Sequence, residues 1–250
     1  MQNNSKGCCI FAYNTETIDY FSQAEEAADR VSHFLDLPVT IFTNTSKKSK
    51  HNVILTELPN INLKQSKVWY NRNRNQVFEL SPYEKTLVID SDYFLCSDTL
   101  KFHLESSAPF LITKDFYHLK TGNFIPLYLG RTHIPLLWAT VMIFDKSQES
   151  QSIFSMAKLI EENYLYYSLL YKFHPHPIRN DFIFSIACHL IGGYGRKSFA
   201  LKNYPIVNCE QDIYYEKFED NKLIYKYEHL KIYGNRIKNM DLHLMNKDQL

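Results

Sequence analysis

TLVIDSDYFL (residues 86–95) runs four apolar or β-branched residues straight into two aspartates separated by one serine, then returns to apolar residues. The run has no polar alternation, the mark of a strand buried on both faces, as in a sheet covered by helices on either side. In open α/β sheets the ligand site lies beyond the carboxyl ends of the strands. Asp90 and Asp92 stand at such an end. Residues two apart on a strand share a face, so both carboxylates can address one divalent cation. Hard cations such as Mg2+ and Mn2+ take oxygen ligands, commonly one or two carboxylates together with substrate phosphate oxygens. The pair therefore suggests a metal and diphosphate site, beside the plainer reading in which acidic residues open a solvated turn.

Two other carboxylate motifs are excluded. An EF-hand loop needs an oxygen ligand where Phe94 stands and a glycine where Leu95 stands. A haloacid-dehalogenase-type phosphatase resembles DxDx(T/V) on a first strand; here Phe94 replaces the threonine, and three strands are expected before this one.

The rest of the chain bounds the class. With 250 residues, 45% apolar and 15% aromatic, and no low-complexity tract, it reads as one globular domain with a sizeable core. Lys and Arg number 28 against 27 Asp and Glu, so the whole-protein field gives no strong push toward nucleic acid or acidic membranes. Five cysteines, with Cys8 and Cys9 adjacent and no CxxC pair, argue against a disulfide framework and a structural zinc. A reducing compartment fits. The opening MQNNSKG lacks the apolar centre of a signal peptide, and the stretches IPLLWATVMIF and FIFSIACHLIGG are too short to span a bilayer. A soluble, cytoplasmic protein without a membrane span is expected, in the host cytoplasm if phage-encoded.

Along the chain, GCCIFAY (7–13), an amphipathic stretch from Glu16 to Leu37 and PVTIFT (38–43) predict a βαβ opening with parallel strands and a right-handed crossover. The polar stretch NTSKKSKH is expected as a loop, and NVILTEL (52–58) as a third strand, which makes TLVID the fourth. Thr99–Ser106 reads as a short helix, PFLITKDF (109–116) as a strand, and 117–135, with Gly122, Pro126, Gly130 and Pro135, as a long connection. LLWATVMIF (136–144) is expected as a buried strand and Gln148–Tyr171 as a single helix. HPHPIR breaks it. Asn180 is expected to cap a helix ending near Gly192 and Gly193. QDIYYEKF and KLIYKYEH, split by Glu219, Asp220 and Asn221, read as a hairpin. The fold class is thus α/β: a mixed, mainly parallel sheet flanked by helices, with a small C-terminal hairpin and tail.

The order of AYNT after the first strand, WYNRNR, LSPYEKTLVIDSDYFL, LWATVMIFDK, RNDFIFSIACHL and a late LHLMNK resembles GT-A-fold glycosyltransferases with a DxD motif, over most of the chain. It is closest to short, soluble transferases of phages and bacteria. The resemblance implies one catalytic domain over 1–250, with a nucleotide-sugar-binding half at 7–116 and an acceptor-side half with a C-terminal tail at 117–250. It implies metal-dependent transfer of a hexose or pentose from a nucleotide-diphosphate sugar, with Mn2+ or Mg2+ as cofactor. Asp90 and Asp92 would hold the metal, and Ala12, Tyr13 and Asn14 would contact base and ribose. His243 would complete the metal shell from the tail, or Asp241 in its place. Arg72, or Arg74 beside it, would meet the donor phosphates, as would Lys197 on the glycine-rich loop GGYGRKSF. Asp181 would bind sugar hydroxyls or act in proton transfer, with Asn180 beside it at the helix start. Trp138 and Thr140 are placed near the acceptor.

A departing nucleoside diphosphate needs charge stabilisation, which a divalent cation supplies as a Lewis acid. An inverting enzyme also needs a carboxylate base, for which Asp115, Asp181 and Asp212 are all candidates. The acceptor is open between a modified DNA base, a saccharide and a protein, and so is the oligomeric state. A nucleotidyltransferase also places paired carboxylates and metal on an α/β sheet, but it usually has a glycine-rich phosphate loop in the first βα turn, and FAYNTETI has no glycine. A non-catalytic nucleotide-sugar-binding module is the third reading.

Overall fold

The computed structural model describes residues 5–59, 62–64, 67–204, 206–219, 222–236 and 240–246. The opening is the expected βαβ unit. Strand β1 (Lys6–Ala12) leads to helix α1 (Tyr20–Leu35) and strand β2 (Val39–Thr43), which lies parallel to β1. Helix α1 starts later than its apolar stripe implied because Asp19 is its cap, accepting from Ser22 N at 3.3 Å. It stops at Asp36, which takes a left-handed conformation (φ 56°). Strand β3 (Asn52–Leu55) runs parallel to β2, and β4 (Asn62–Lys64) and β5 (Lys67–Trp69) form a small separate hairpin. A 3-10 turn at Arg74–Gln76 and the short helix α2 (Val77–Leu80) lead into β6 (Lys85–Asp90), the strand of the quoted stretch.

β6 pairs parallel with β1, and β7 (Tyr93–Phe94) leaves for a different sheet. After α3 (Leu100–Leu104) the expected single strand at 109–116 is two: β8 (Phe110–Thr113) stays in the first sheet, whereas β9 (Phe116–His118) joins the second. The connection after it contains β10 (Asn123–Phe124), paired antiparallel with β9. Strand β11 (Trp138–Asp145) inserts antiparallel between β6 and β8, giving the central order β3-β2-β1-β6-β11-β8.

The helix expected over 148–171 divides at Asn163 into α4 (Gln148–Glu162) and α5 (Tyr164–Tyr171). Helix α6 (Asn180–Ile191) begins with Asn180 itself rather than after it, so Asn180 is not its cap. Its side chain instead donates to Asn71 O at 2.6 Å. The largest departure lies at the end of the chain. Strands β12 (Ile206–Cys209) and β16 (Asp241–Leu244) pair parallel in the middle of a second sheet, ordered β10-β9-β12-β16-β7, so the region read as a tail is a buried strand. Between them β13 (Tyr214–Glu219), β14 (Lys222–Tyr227) and β15 (Lys231–Arg236) form a three-stranded antiparallel sheet where a hairpin was expected; Asp220 and Asn221 lie outside the described residues.

The central strands bury both faces, as their uninterrupted apolar runs require. Cys8, Ile10, Leu87 and Ile89 face one core with the α1 residues Phe21, Ala24, Ala28 and Val31. Cys9, Val88 and Met142 face the other, against Phe154, Ala157 and Ile160 of α4 and Phe184 of α6. A third cluster seals the three-stranded sheet to the second sheet through Val207, Leu223, Tyr225 and Leu242. Among the described residues no helix is long and apolar enough to cross a membrane.

Candidate functional site

The site forms where the two sheets meet. β6 ends at Asp90, Ser91 and Asp92 make a turn, and Tyr93 of β7 pairs with His243 of β16. Leu244 N also donates to Asp92 O at 2.9 Å, pinning the turn to β16. Sheet alternation is therefore not what brings the two carboxylates together: the turn swings Asp92 toward the second sheet. Strand pairing then delivers a histidine that lies 151 positions beyond Asp92 in the chain.

Carboxylate oxygens of Asp90 and Asp92 and a ring nitrogen of His243 all lie within 4.8 Å of one another, the one such grouping of three among the described residues. His243 Nε2 is 3.5 Å from Asp92 Oδ2 and 3.9 Å from Asp90 Oδ2. Its Nδ1 is 3.1 Å from Asn208 Oδ1. A carbonyl oxygen only accepts, so Nδ1 carries the proton and Nε2 presents its lone pair to the carboxylates. Burial pushes the imidazole below its ordinary pKa, and the nearby Asp90 charge opposes this without reversing it. The ring is thus neutral near pH 7. Two hard oxygens and one borderline nitrogen, with the tautomer fixed from behind, form a donor set that suits a divalent cation.

These groups open onto a cleft of about 430 Å3, lined also by Tyr13, Tyr20, Arg72, Arg74, Trp138 and Arg179. Burial, with the Asp90 charge adding to it, raises the pKa of Tyr20. Arg74 bridges β6 and β11, donating to Asp90 Oδ1 and, at 2.6 Å, to Ala139 O. Asp181 accepts from Ala139 N at 3.0 Å and from Arg179 Nη2 at 2.7 Å. Both main-chain groups of Ala139 are thus met by side chains, and the cause is local: the ladder between β11 and β8 slips between Trp138 and Met142. Bulges of this kind free backbone groups and re-aim side chains next to sites.

The remaining residues singled out in the sequence divide clearly. Tyr13, Thr140 and Asn180 line the cleft with those just named. Ala12 is fully buried in the α1-side core, so its flanking residues Phe11 and Tyr13 reach the cleft and its own side chain does not. Asn14 is turned away, with Nδ2 donating to Asp19 Oδ1 and Oδ1 accepting from Phe21 N, each at 2.8 Å. Lys197 lies outside the lining and pairs with Glu149 at 2.5 Å, so the structure does not bring it together with the other residues expected at the diphosphate. Asp241, the alternative to His243, is not part of the cluster. It is fully buried beneath the site, accepting from Tyr93 OH at 2.6 Å, from Cys96 N at 2.7 Å and from Tyr204 OH. Asp115 and Asp212 are outside the lining, and Asp212 pairs with Lys120.

The sequence reading missed Tyr20, Tyr70, Arg179, Gln211 and Met245 in the lining, and Asn208 behind His243. Arg179 had a signal in RND at the head of α6. Asn208 and Met245 had none, because each depends on which strands pair.

No protein-family model matches the sequence, and no curated protein matches it. Solved structures do. Over 80% of its length the chain is similar to the glycosyltransferase GlyE of Streptococcus pneumoniae TIGR4, at 12% identity and a TM-score of 0.44, and to its apo form at 13% and 0.43. Each match takes in 46% of the GlyE chain, so this chain spans less than half the length of that protein. It is also similar, over 80% of its length and 72% of the other chain, to an active-site mutant of LgtC, at 12% identity and a TM-score of 0.47. A mixed α/β fold with a mainly parallel central sheet and an Asp90-x-Asp92 turn is thus similar in structure to solved glycosyltransferases.

Proposed function

We propose that the chain is a metal-dependent glycosyltransferase that moves a sugar from a nucleotide-diphosphate sugar to an acceptor hydroxyl. The observation that carries this reading is the convergence of Asp90, Asp92 and His243 in a cleft also lined by Arg72, Arg74 and Arg179. Such a site offers ligands for a cation beside guanidinium groups suited to phosphate oxygens.

Asp90, Asp92 and His243 would hold Mn2+ or Mg2+, which supplies Lewis-acid stabilisation to a leaving diphosphate. The chain's own residues do the rest. Arg74 fixes the Asp90 carboxylate, and Asn208 fixes the imidazole tautomer. Asp181, held by Ala139 N and Arg179, is in place to bind a sugar hydroxyl through its remaining lone pairs, with Trp138 and Thr140 on the wall beside it. Tyr13, whose hydroxyl meets Thr56 at 3.0 Å, and Tyr20 provide an aromatic wall for a nucleoside.

The test is hydrolysis of a panel of UDP-, GDP-, CDP- and dTDP-sugars with Mn2+ or Mg2+, alongside Asp92→Asn and His243→Ala. Metal-dependent release of one nucleoside diphosphate, lost in Asp92→Asn, is the expected result and identifies the donor. Turnover that survives Asp92→Asn would remove the metal role. Absence of both turnover and nucleoside diphosphate binding by the wild type would overturn the reading.

A further inference from the structure

One buried carboxylate beside the cleft has no part in the function proposed above. Helix α4 buries Ile153, Phe154, Ala157 and Ile160, and the same stripe continues into Glu161, which is 5% exposed where the spacing asks for an apolar residue. Burying a carboxylate is costly unless hydrogen bonds and charge compensate it. Among the described residues, every group that hydrogen-bonds Glu161 comes from the short segment entering the cleft. Oε1 accepts from Arg72 Nε and from Asn73 N, both at 3.1 Å; Oε2 accepts from Asn73 N at 3.2 Å and from Asn75 Nδ2 at 2.9 Å. Asn73 itself takes a left-handed conformation (φ 61°), which the bonds on either side of it hold in place.

The bond pattern at Arg72 shows what this arrangement does. Its Nε is taken by Glu161, and among the described residues its two Nη nitrogens meet no partner, although the side chain is only 22% exposed and lines the cleft. A guanidinium gripped by its Nε presents the Nη pair as a preset fork, the shape that binds two oxygens of a phosphate at once. Two residues on, Arg74 is tied to Ala139 O and Asp90, so one segment carries a guanidinium fixed to the carboxylate cluster and another with its fork open.

We propose that Glu161 is a positioning residue that clamps the 72–75 segment and aims the Arg72 Nη pair at a phosphate oxygen of a nucleoside diphosphate in the cleft. The proposal rests on the glycosyltransferase reading for the identity of the ligand, and on the geometry above for the role. Removing the clamp weakens diphosphate binding, while Arg74 keeps its own anchor at Ala139 O and with it the bond to Asp90.

The experiment compares wild type, Glu161→Gln, Arg72→Met and the double variant. Mn2+ alone is titrated by the paramagnetic signal of the free ion, and then UDP, GDP, CDP, ADP and dTDP are titrated calorimetrically with Mn2+ present, keeping the tightest as probe. Glu161→Gln loses the charge-assisted bond that aims the fork and is expected to bind that diphosphate about tenfold more weakly or worse. Mn2+ affinity should stay within about twofold of wild type, and the double variant should bind no more weakly than Arg72→Met, because both changes disable the same fork. Unchanged diphosphate affinity in Glu161→Gln, multiplying losses in the double variant, or equal losses for Mn2+ and diphosphate would each overturn the role. If Glu161→Gln does not fold, Asn75→Ala decides: about a threefold loss of diphosphate affinity with Mn2+ unchanged supports the clamp, and no loss overturns it. A wild type that takes Mn2+ but none of the diphosphates overturns the functional reading, and this inference with it.

Discussion

Asn208→Ala is the sharpest test of how the proposed cation site is built, because the residue touches the cluster without belonging to it. Asn208 is 4% exposed and faces His243 Nδ1 at 3.1 Å. Truncation leaves the buried Nδ1 proton without its protein acceptor. Leaving such a donor unmet costs about 1–3 kcal/mol of stability. The second consequence is chemical: the ring is freed to turn or to move its proton to Nε2, which destroys the lone pair aimed at Asp90 and Asp92. Loss of a ligand's hydrogen-bonded partner typically weakens metal binding about 10–100-fold, or about 1.4–2.7 kcal/mol. Asn208→Asp keeps the acceptor and should hold metal affinity at or above the wild-type value. The assays are Mn2+ titration and urea denaturation on the three proteins. Wild-type Mn2+ affinity in Asn208→Ala, together with a large loss in His243→Ala, would refute the tautomer argument while leaving His243 as a ligand.

Three further outcomes follow from other parts of the molecule. Tyr204→Phe removes a hydroxyl that donates to the buried Asp241 carboxylate and leaves the ring in place, so urea denaturation should show a loss of about 1.5–3 kcal/mol; a loss below about 0.5 would mean that the remaining donors, Tyr93 OH, Cys96 N and Ser97 Oγ, suffice. At the head of α1, burial presses the Asp19 carboxyl up, but bonds from Lys47, Ser22 and Asn14 outweigh it and hold the pKa well below the usual carboxylate range. Its contribution is present above the ordinary value and is lost as pH falls through the depressed one, so Asp19→Ala should cost about 1 kcal/mol at pH 7 and progressively less in strong acid; a gap that widens on acidification would contradict the assignment. Burial pushes the Cys9 and Cys96 thiols up to about 12, with the Asp241 charge adding to the shift at Cys96. Thiolate fractions on the order of 10^-5 at pH 7 should leave both unlabelled by a thiol reagent until the chain unfolds, and rapid labelling of the native protein would refute this.

The sequence was most informative where one local rule decided the outcome. Uninterrupted apolar runs marked β1, β2, β6 and β11, and the periodicity of 16–37 marked α1, because burial on both faces of a sheet and on one face of a helix leaves those signals directly in the chain. Asp90 and Asp92 stood out because carboxylates interrupt such a run. The failures share a cause of a different kind. β16 offers only Asp241–Leu244, too short for alternation to show, and its place is set by pairing with β12 and β7 from far along the chain. PFLITKDF reads as one strand, yet the chain crosses between sheets within it. Lys197 and Asn14 stand out only by loop position, whereas Glu149 and Asp19 claim them once the helices pack. Glu161 left a signal that pattern reading discards: a charge in register with Phe154, Ala157 and Ile160 marks a place where packing has been given up for a hydrogen-bonded clamp.

The seam between β6 and β7 also has a thermodynamic consequence. Asp90 closes a strand of the central sheet, while His243 lies inside the second sheet. A cation bound to both therefore cross-links two separately hydrogen-bonded layers and holds a native arrangement that the unfolded chain, with 151 residues between Asp92 and His243, does not preform. By mass action an ion present at about 100 times its dissociation constant adds about 2.7 kcal/mol to the folded state. Resistance to heat and to proteases would then become a function of the free metal concentration, and the second sheet, joined to this edge through β7 and the bonds that link Asp92 O and Cys96 N to β16, is the layer whose local opening should respond most.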